Sequence, residues 1–192
     1  MLSSDNPAPE RDGVWPSDSD ELMDLYDELR RPIGRTMRRG APVAPGEYLA
    51  VVHVCVFNSA GQLLIQRRQD TKRSFPSLWD ITAGGAVQAG ESSRAAAERE
   101  VREELGFSPE LAGIRPCLTV NFDDGFDDIY AVEREISLRT LRLQASEVQD
   151  ARWAALPEVL ALSERGAFVP YHTGFLQLLF QMRARMGFLR EA

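Results

Sequence analysis

The sequence predicts an α/β fold, a mixed central sheet sandwiched between helices, and two stretches carry that expectation. Residues 48–57, YLAVVHVCVF, form a near-continuous β-branched and apolar run, the pattern of a strand covered on both faces. Residues 92–105 instead show helical spacing, with Ala97, Val101 and Leu105 on one stripe, Ser92 or Ser93 at the start and Gly106 past the end. With 44% hydrophobic and 27% charged residues, the 192-residue chain can bury one real core, so a single domain over residues 21–192 is expected.

Taken in order, residues 1–20 mix Ser, Asp and Pro with few apolar groups and read as a loose tail, Trp15 being its one large aromatic. Residues 22–26 and 33–37, separated by Arg30, Arg31 and Pro32, read as a hairpin within an N-terminal unit 21–40. Arg38, Arg39 and Gly40 lead through a loop, 41–46, into the core, 47–192. After the central strand, residues 58–61 turn the chain and 63–67 return as its partner. Arg68, Lys72 and Arg73 follow in a loop, and 79–82 form a short strand that delivers Gly84 and Gly85 in a glycine-rich loop. Beyond the helix, residues 114–122 and 129–136 read as strands joined across Asp123-Asp124-Gly125. A short segment 141–143, a strand around Trp153, and helices over 157–165 and 175–186 complete the architecture.

Composition narrows the function. A formal charge of −7 argues against a nucleic-acid partner, which needs a basic surface. Cys55 and Cys117 have neither metal-ligand spacing nor a dense disulfide pattern, so free buried thiols in a reducing cytoplasm are expected. No apolar run reaches the roughly 18 residues of a membrane span, and residues 1–20 lack the profile of a signal peptide. His53 reads as a core histidine, and with His172 the only other one there is no histidine cluster to support a transition-metal site.

The chemistry concentrates between Gly84 and Phe107. Glu100, Glu103 and Glu104 share one helical arc at the helix C-terminus, where each like-charge pair costs roughly 0.2–0.5 kcal/mol and the helix dipole disfavours them further. A divalent cation would turn that repulsion into coordination. Gly85, Glu91, Arg99, Glu100, Val101, Glu103, Glu104, Gly106 and Phe107 reproduce the pattern G-x5-E-x7-R-E-U-x-E-E-x-G-U, with U apolar, without a departure. The chain therefore resembles the Nudix hydrolases. The segment LLIQRRQDTKRSFPSLWDITAGGAVQAGE also resembles the branch shared by type I isopentenyl-diphosphate isomerases and their isomerase-like hydrolase relatives, extending the likeness to residues 48–153.

The resemblance implies a Nudix-like α/β/α sandwich and a Mg²⁺- or Mn²⁺-dependent pyrophosphohydrolase acting on a nucleoside diphosphate linked to another moiety. The ion would sit on Glu100, Glu103 and Glu104 with a carbonyl of Gly84 or Gly85. Arg99 would hold Glu103, and Arg68 and Lys72 would grip the diphosphate. Glu147 is implied as the additional acid that completes the site or takes a proton from water, with Glu133 and Glu135 as alternatives. Isomerisation is the enzymatic rival, but isomerases carry a cysteine where this chain has Gly84 and a histidine where it has Ala86. A non-catalytic nucleotide sensor is the remaining alternative, and the complete motif argues against it. The expected partner is a small-molecule diphosphate, without nucleic acid or membrane; oligomeric state stays open, a homodimer among the options.

Overall fold

The structure, a computed structural model, describes residues 20–183, so all but the last residue of the expected tail, including Trp15, lies outside it. Strand β1 (Leu22–Tyr26) and strand β2 (Pro32–Arg38) pair antiparallel as the expected hairpin. Tyr26 and Tyr48 exchange backbone hydrogen bonds of 2.8 and 2.9 Å, which fasten the hairpin to the start of β3 (Leu49–Phe57). Arg30, in the hairpin turn, adds a 2.8 Å ion pair to Asp128.

β3 is the central strand. Along one edge it runs parallel to β8 (Gly125–Glu133) over all nine residues. Its other edge is shared by β6 (Ala83–Ala86), opposite residues 51–54, and by β4 (Leu63–Arg68), met at Phe57↔Leu63. β4 in turn pairs with β5 (Trp79–Asp80) and with β9 (Val148–Ala154), while β7 (Leu118–Phe122) closes the far side against β8. The sheet is mixed, as expected.

Strand alternation sends the two faces of β3 into different cores. Ala50, Val52, Val54 and Val56 pack against Ala97, Val101 and Leu105 of α1 (Ser93–Leu105). Cys55 and Phe57 point the other way, toward Val159 and Leu162 of α2 (Leu156–Glu164) and Leu176, Leu179 and Phe180 of α3 (Thr173–Met182). Helices thus cover both faces, giving the predicted α/β/α sandwich. Cys55 is buried and Cys117 half-buried, and both are free thiols. Among the described residues no helix is long and apolar enough to cross a membrane.

Several boundaries differ from expectation. The strand expected over 79–82 stops at Asp80, because the Thr82 hydroxyl takes over ladder duties, accepting from Val56 N at 2.9 Å and donating to Leu64 O at 2.6 Å. Gly84 and Gly85 are then not in a loop but in β6, opposite His53 and Val52. β7 ends at Phe122 as expected but starts at Leu118 rather than at 114, and β8 covers Gly125–Glu133 rather than 129–136. β7 starts after Pro116, which has no N–H for the ladder, and β8 starts at once after a two-residue Asp123–Asp124 turn. Asp127 and Asp128 are strand residues because each carboxylate finds a partner, His53 at 2.8 Å and Arg30 at 2.8 Å. α3 begins two residues earlier than expected, at Thr173.

The parallel register of β3 and β8 depends on Gly125. A Cβ there would lie 2.2 Å from Leu49 O, a backbone atom that cannot swing aside. Gly125→Ala should destabilise the protein by about 1–3 kcal/mol, read as a lower thermal midpoint. Gly174→Ala, where nothing lies within 4 Å, should not lower it. Equal midpoints for wild type and Gly125→Ala would contradict this register.

Candidate active site

The site is built from α1 outward. Ser92 caps the helix, its hydroxyl accepting from Ala95 N at 3.2 Å, and Gly106 ends it in the left-handed conformation at φ 78°. With the apolar stripe turned into the core, Glu100 and Glu104 are carried on the flank that lines a cavity, both buried, while Glu103 stays half-exposed on its rim. Glu100 reaches the backbone of β6 only because position 85 is glycine: a Cβ there would lie 2.1 Å from Glu100 Oε1. At Gly84 a Cβ would lie 2.4 Å from the His53 ring.

Arg99 organises the carboxylates. Its Nε and one terminal nitrogen donate to the two oxygens of Glu91 at 3.1 and 3.0 Å, a bidentate pair. That same nitrogen donates to Ala86 O at 2.9 Å, and the other donates to Glu100 at 2.8 Å and Glu103 at 3.2 Å. One guanidinium therefore ties β6, the loop before α1 and α1 itself. Burial pulls its pKa down, yet the Glu91 hydrogen bonds and the charge of Glu100 hold it above the ordinary arginine value.

The carboxylates are under electrostatic load. Burial raises the Glu100 pKa, with Arg99 only partly offsetting it. Burial also pushes Glu104 well above the usual range, reinforced by the charges of Glu100 and Glu147, and its Oε2 is buried without a hydrogen-bond partner. A hard divalent cation fits this donor set: clustered carboxylate oxygens, one of them orphaned, beside a glycine backbone that leaves room. Among the described residues no three His, Cys, Asp or Glu side chains already converge on a common metal position. Arg99 holds Glu100 and Glu103, and Lys72 holds Glu147.

Glu147 reaches the cavity because its segment hangs from the end of α1. Arg142 N and Gln144 N donate to Leu105 O and Glu104 O at 3.0 and 2.9 Å, and Gln69 N donates to Glu147 O at 2.8 Å. The last of these bonds places Glu147 beside the loop of Lys72, and the two side chains pair. Glu100, Glu103, Glu104, Glu147, Gly85, Arg99, Arg68 and Lys72 thus all line one cavity. Arg68 is not a free cation: it pairs with buried Asp80 at 3.1 Å and donates to Ser74 O at 3.1 Å. Glu133 and Glu135 do not line this cavity.

Several cavity residues escaped the sequence reading. His53, expected in the core, stands half-buried on the cavity wall, its Nδ1 2.8 Å from Asp127 and its ring edge-on to Tyr171. Burial lowers its pKa, but Asp127 prevails and holds it above the ordinary histidine value. Tyr171 donates to Asp80 at 2.9 Å. The alternation of β3 places His53 on the same face as Val51 and Cys55, so no periodicity could separate it from core. Arg39, from the hairpin end, also lines the cavity and pairs with Glu21 at 2.7 Å.

The chain is similar in sequence and in fold to known proteins. The family model described as NUDIX domain matches residues 47–178. An uncharacterized Nudix hydrolase of Listeria monocytogenes is 45% identical over 163 residues, covering 85% of this chain and 95% of that protein. An isopentenyl-diphosphate Delta-isomerase of Streptomyces avermitilis is 32% identical over 165 residues, covering 82% of this chain and 81% of the relative. The crystal structure of a Deinococcus radiodurans protein superimposes with a TM-score of 0.66 at 26% identity, covering 84% of this chain and 98% of that one.

The burial of the Glu104 carboxyl has a measurable consequence. With its folded-state pKa raised, its favourable contribution to folding is complete below the ordinary value of 4.5 and disappears as pH rises through the folded value. In chelator at pH 8, Glu104→Gln should therefore melt higher than wild type, the gap closing as pH falls toward 4.5. Adding Mg²⁺ at pH 8 should reverse that order. A gap that ignores pH would contradict the assignment of strain to this carboxylate.

Proposed function

This chain belongs to the Nudix hydrolase family, whose enzymes act on pyrophosphate bonds, and we propose that it is a Mg²⁺- or Mn²⁺-dependent hydrolase that cleaves the diphosphate bridge of a nucleoside diphosphate linked to another moiety. The observation that carries the reading is the orphaned oxygen of Glu104, buried beside Glu100 and Glu147 in a cavity that also presents Arg68 and Lys72. Glu100, Glu104 and the Gly85 carbonyl would hold the ion, with Glu103 as a further carboxylate. When bound, the ion supplies Lewis-acid neutralisation of the phosphate oxygens.

The chain's own groups do the rest. Arg99 keeps Glu91, Glu100 and Glu103 in fixed relation, so the acidic cluster need not reorganise during the reaction. Lys72 and Arg68 bind the diphosphate, Arg68 from a position fixed by Asp80 and Ser74. In the structure Lys72 is bound to Glu147. A phosphate competing for that ammonium releases the carboxylate, which then accepts the proton of the water attacking phosphorus as the bridging P–O bond breaks. The same reading treats residues 21–192 as one catalytic unit, since the hairpin contributes Met23, Met37 and Arg39 to the cavity wall.

The similarity to an isopentenyl-diphosphate isomerase makes isomerisation the rival. Against it, Gly84 and Ala86 occupy the positions where the isomerases carry their cysteine and histidine. Neither thiol of this chain substitutes: Cys55 is buried in the core shared with α2 and α3, where burial pushes its pKa well up, and Cys117 packs on the same core.

Turnover of a panel of nucleotide sugars, dinucleotide polyphosphates and coenzymes should require Mg²⁺ or Mn²⁺. Glu100→Gln should lower kcat by about 10²-fold or more, and Glu147→Gln by roughly 10²–10⁴-fold with little change in thermal midpoint. Full activity in excess chelator, or formation of dimethylallyl diphosphate from isopentenyl diphosphate, would overturn the reading.

A further inference from the structure

The loop between Arg68 and Trp79 holds an aromatic residue that neither the core nor the chemistry described above uses. Phe75 is half-buried and lines the cavity, but it belongs to none of the three apolar clusters formed by the described residues. Its backbone is left-handed at φ 50°, a conformation that a bulky side chain rarely adopts, and Ser77, two residues on, is left-handed at φ 60°. Such a conformation persists only where its surroundings impose it. Here they do: Arg68 Nε donates to Ser74 O at 3.1 Å, and Arg67 Nε donates to Ser77 O at 3.0 Å, clamping the loop on either side of Phe75.

We propose that Phe75 is a specificity-determining platform on which the nucleobase of a nucleoside diphosphate substrate stacks. The ring sits on the same clamped loop as Lys72 and next to Ser74, which Arg68 holds, so it lies beside the proposed diphosphate grip. A nucleoside carries its flat base one sugar away from its diphosphate, which matches that adjacency. Val169 and Tyr171 add apolar and aromatic surface to the same cavity, and Tyr171 is fixed by its bond to Asp80 and its contacts with Phe168 and Phe175. A fixed ring face recognises a planar base by stacking and needs no particular pattern of hydrogen bonds. The clamp gives Arg68 a second task, because the guanidinium beside the phosphates also sets the position of the ring.

The inference rests on the reading of the cavity as a diphosphate site, so its test measures binding without turnover. Isothermal titration calorimetry would compare α,β-methylene-ADP and α,β-methylene-UDP with methylenediphosphonate, the same diphosphate core without a nucleoside. Wild type should bind the nucleotide analogues more tightly by about tenfold or more, a gap of the size base stacking supplies. Phe75→Ala should lose most of that gap while its affinity for methylenediphosphonate falls less than about threefold, and Phe75→Tyr should keep it. A thermal midpoint of Phe75→Ala close to wild type would accompany these results, since the ring packs in no core cluster. No gap in wild type, or a gap that survives Phe75→Ala, would overturn the platform. If the gap behaves as expected but no substrate of the panel is hydrolysed, the platform stands and the hydrolase reading falls.

Discussion

The guanidinium of Arg99 is the fixed point of this structure. A buried ion pair is worth little when its hydrogen bonds are incomplete, because removing both charges from water costs more than their attraction returns. Arg99 avoids that outcome by distributing its donors over Glu91, Glu100, Glu103 and the carbonyl of Ala86. Lysine could not substitute, since a single ammonium has three donors and no planar fork to match the two oxygens of Glu91. Through this one side chain, strand β6, the loop before α1 and the helix hold a common geometry. Acidic groups that would repel one another are kept together.

The rest of the fold builds a cavity around that cluster. Strand β3 turns alternate residues into the α1 core, and its other face passes from Leu49 and Val51 near the hairpin, through His53 on the cavity wall, to Cys55 and Phe57 under α2 and α3. Gly84 and Gly85 bring β6 close enough that the His53 ring and the Glu100 carboxylate lie against backbone. The segment from Arg142 to Glu147 hangs on the last carbonyls of α1, so the helix that carries the acidic cluster also positions Glu147. Lys72 and Arg68 then meet acidic partners, Glu147 and Asp80, within the same cavity.

What the sequence reveals follows the range of the interactions involved. Helix α1 was legible to within a residue because Ser92, Gly106 and the stripe of Ala97, Val101 and Leu105 act locally. The hairpin and the central strand were legible for the same reason, through turn residues and a near-continuous apolar run. The start of β8 was not, since Asp127 and Asp128 resemble loop residues until their partners are known, and those partners, His53 and Arg30, are 74 and 98 positions away. Distance in sequence also concealed the pairing of Arg68 with Asp80 and of Lys72 with Glu147. Resemblance to a family brought Glu147 into consideration, which its local sequence could not have done. The unusual feature of Phe75 is a backbone angle, and composition carries no trace of it.

The central claim is that a divalent cation completes the acidic cluster that Arg99 organises. The most direct test is a crystal structure of the protein grown with Mn²⁺ and a non-hydrolysable diphosphate, with the metal located by its anomalous scattering. The account predicts an anomalous peak bonded to Glu104 and Glu100, and Arg99 still hydrogen-bonded to Glu91. A peak elsewhere, or a cluster that binds no metal while the diphosphate is in place, would contradict it.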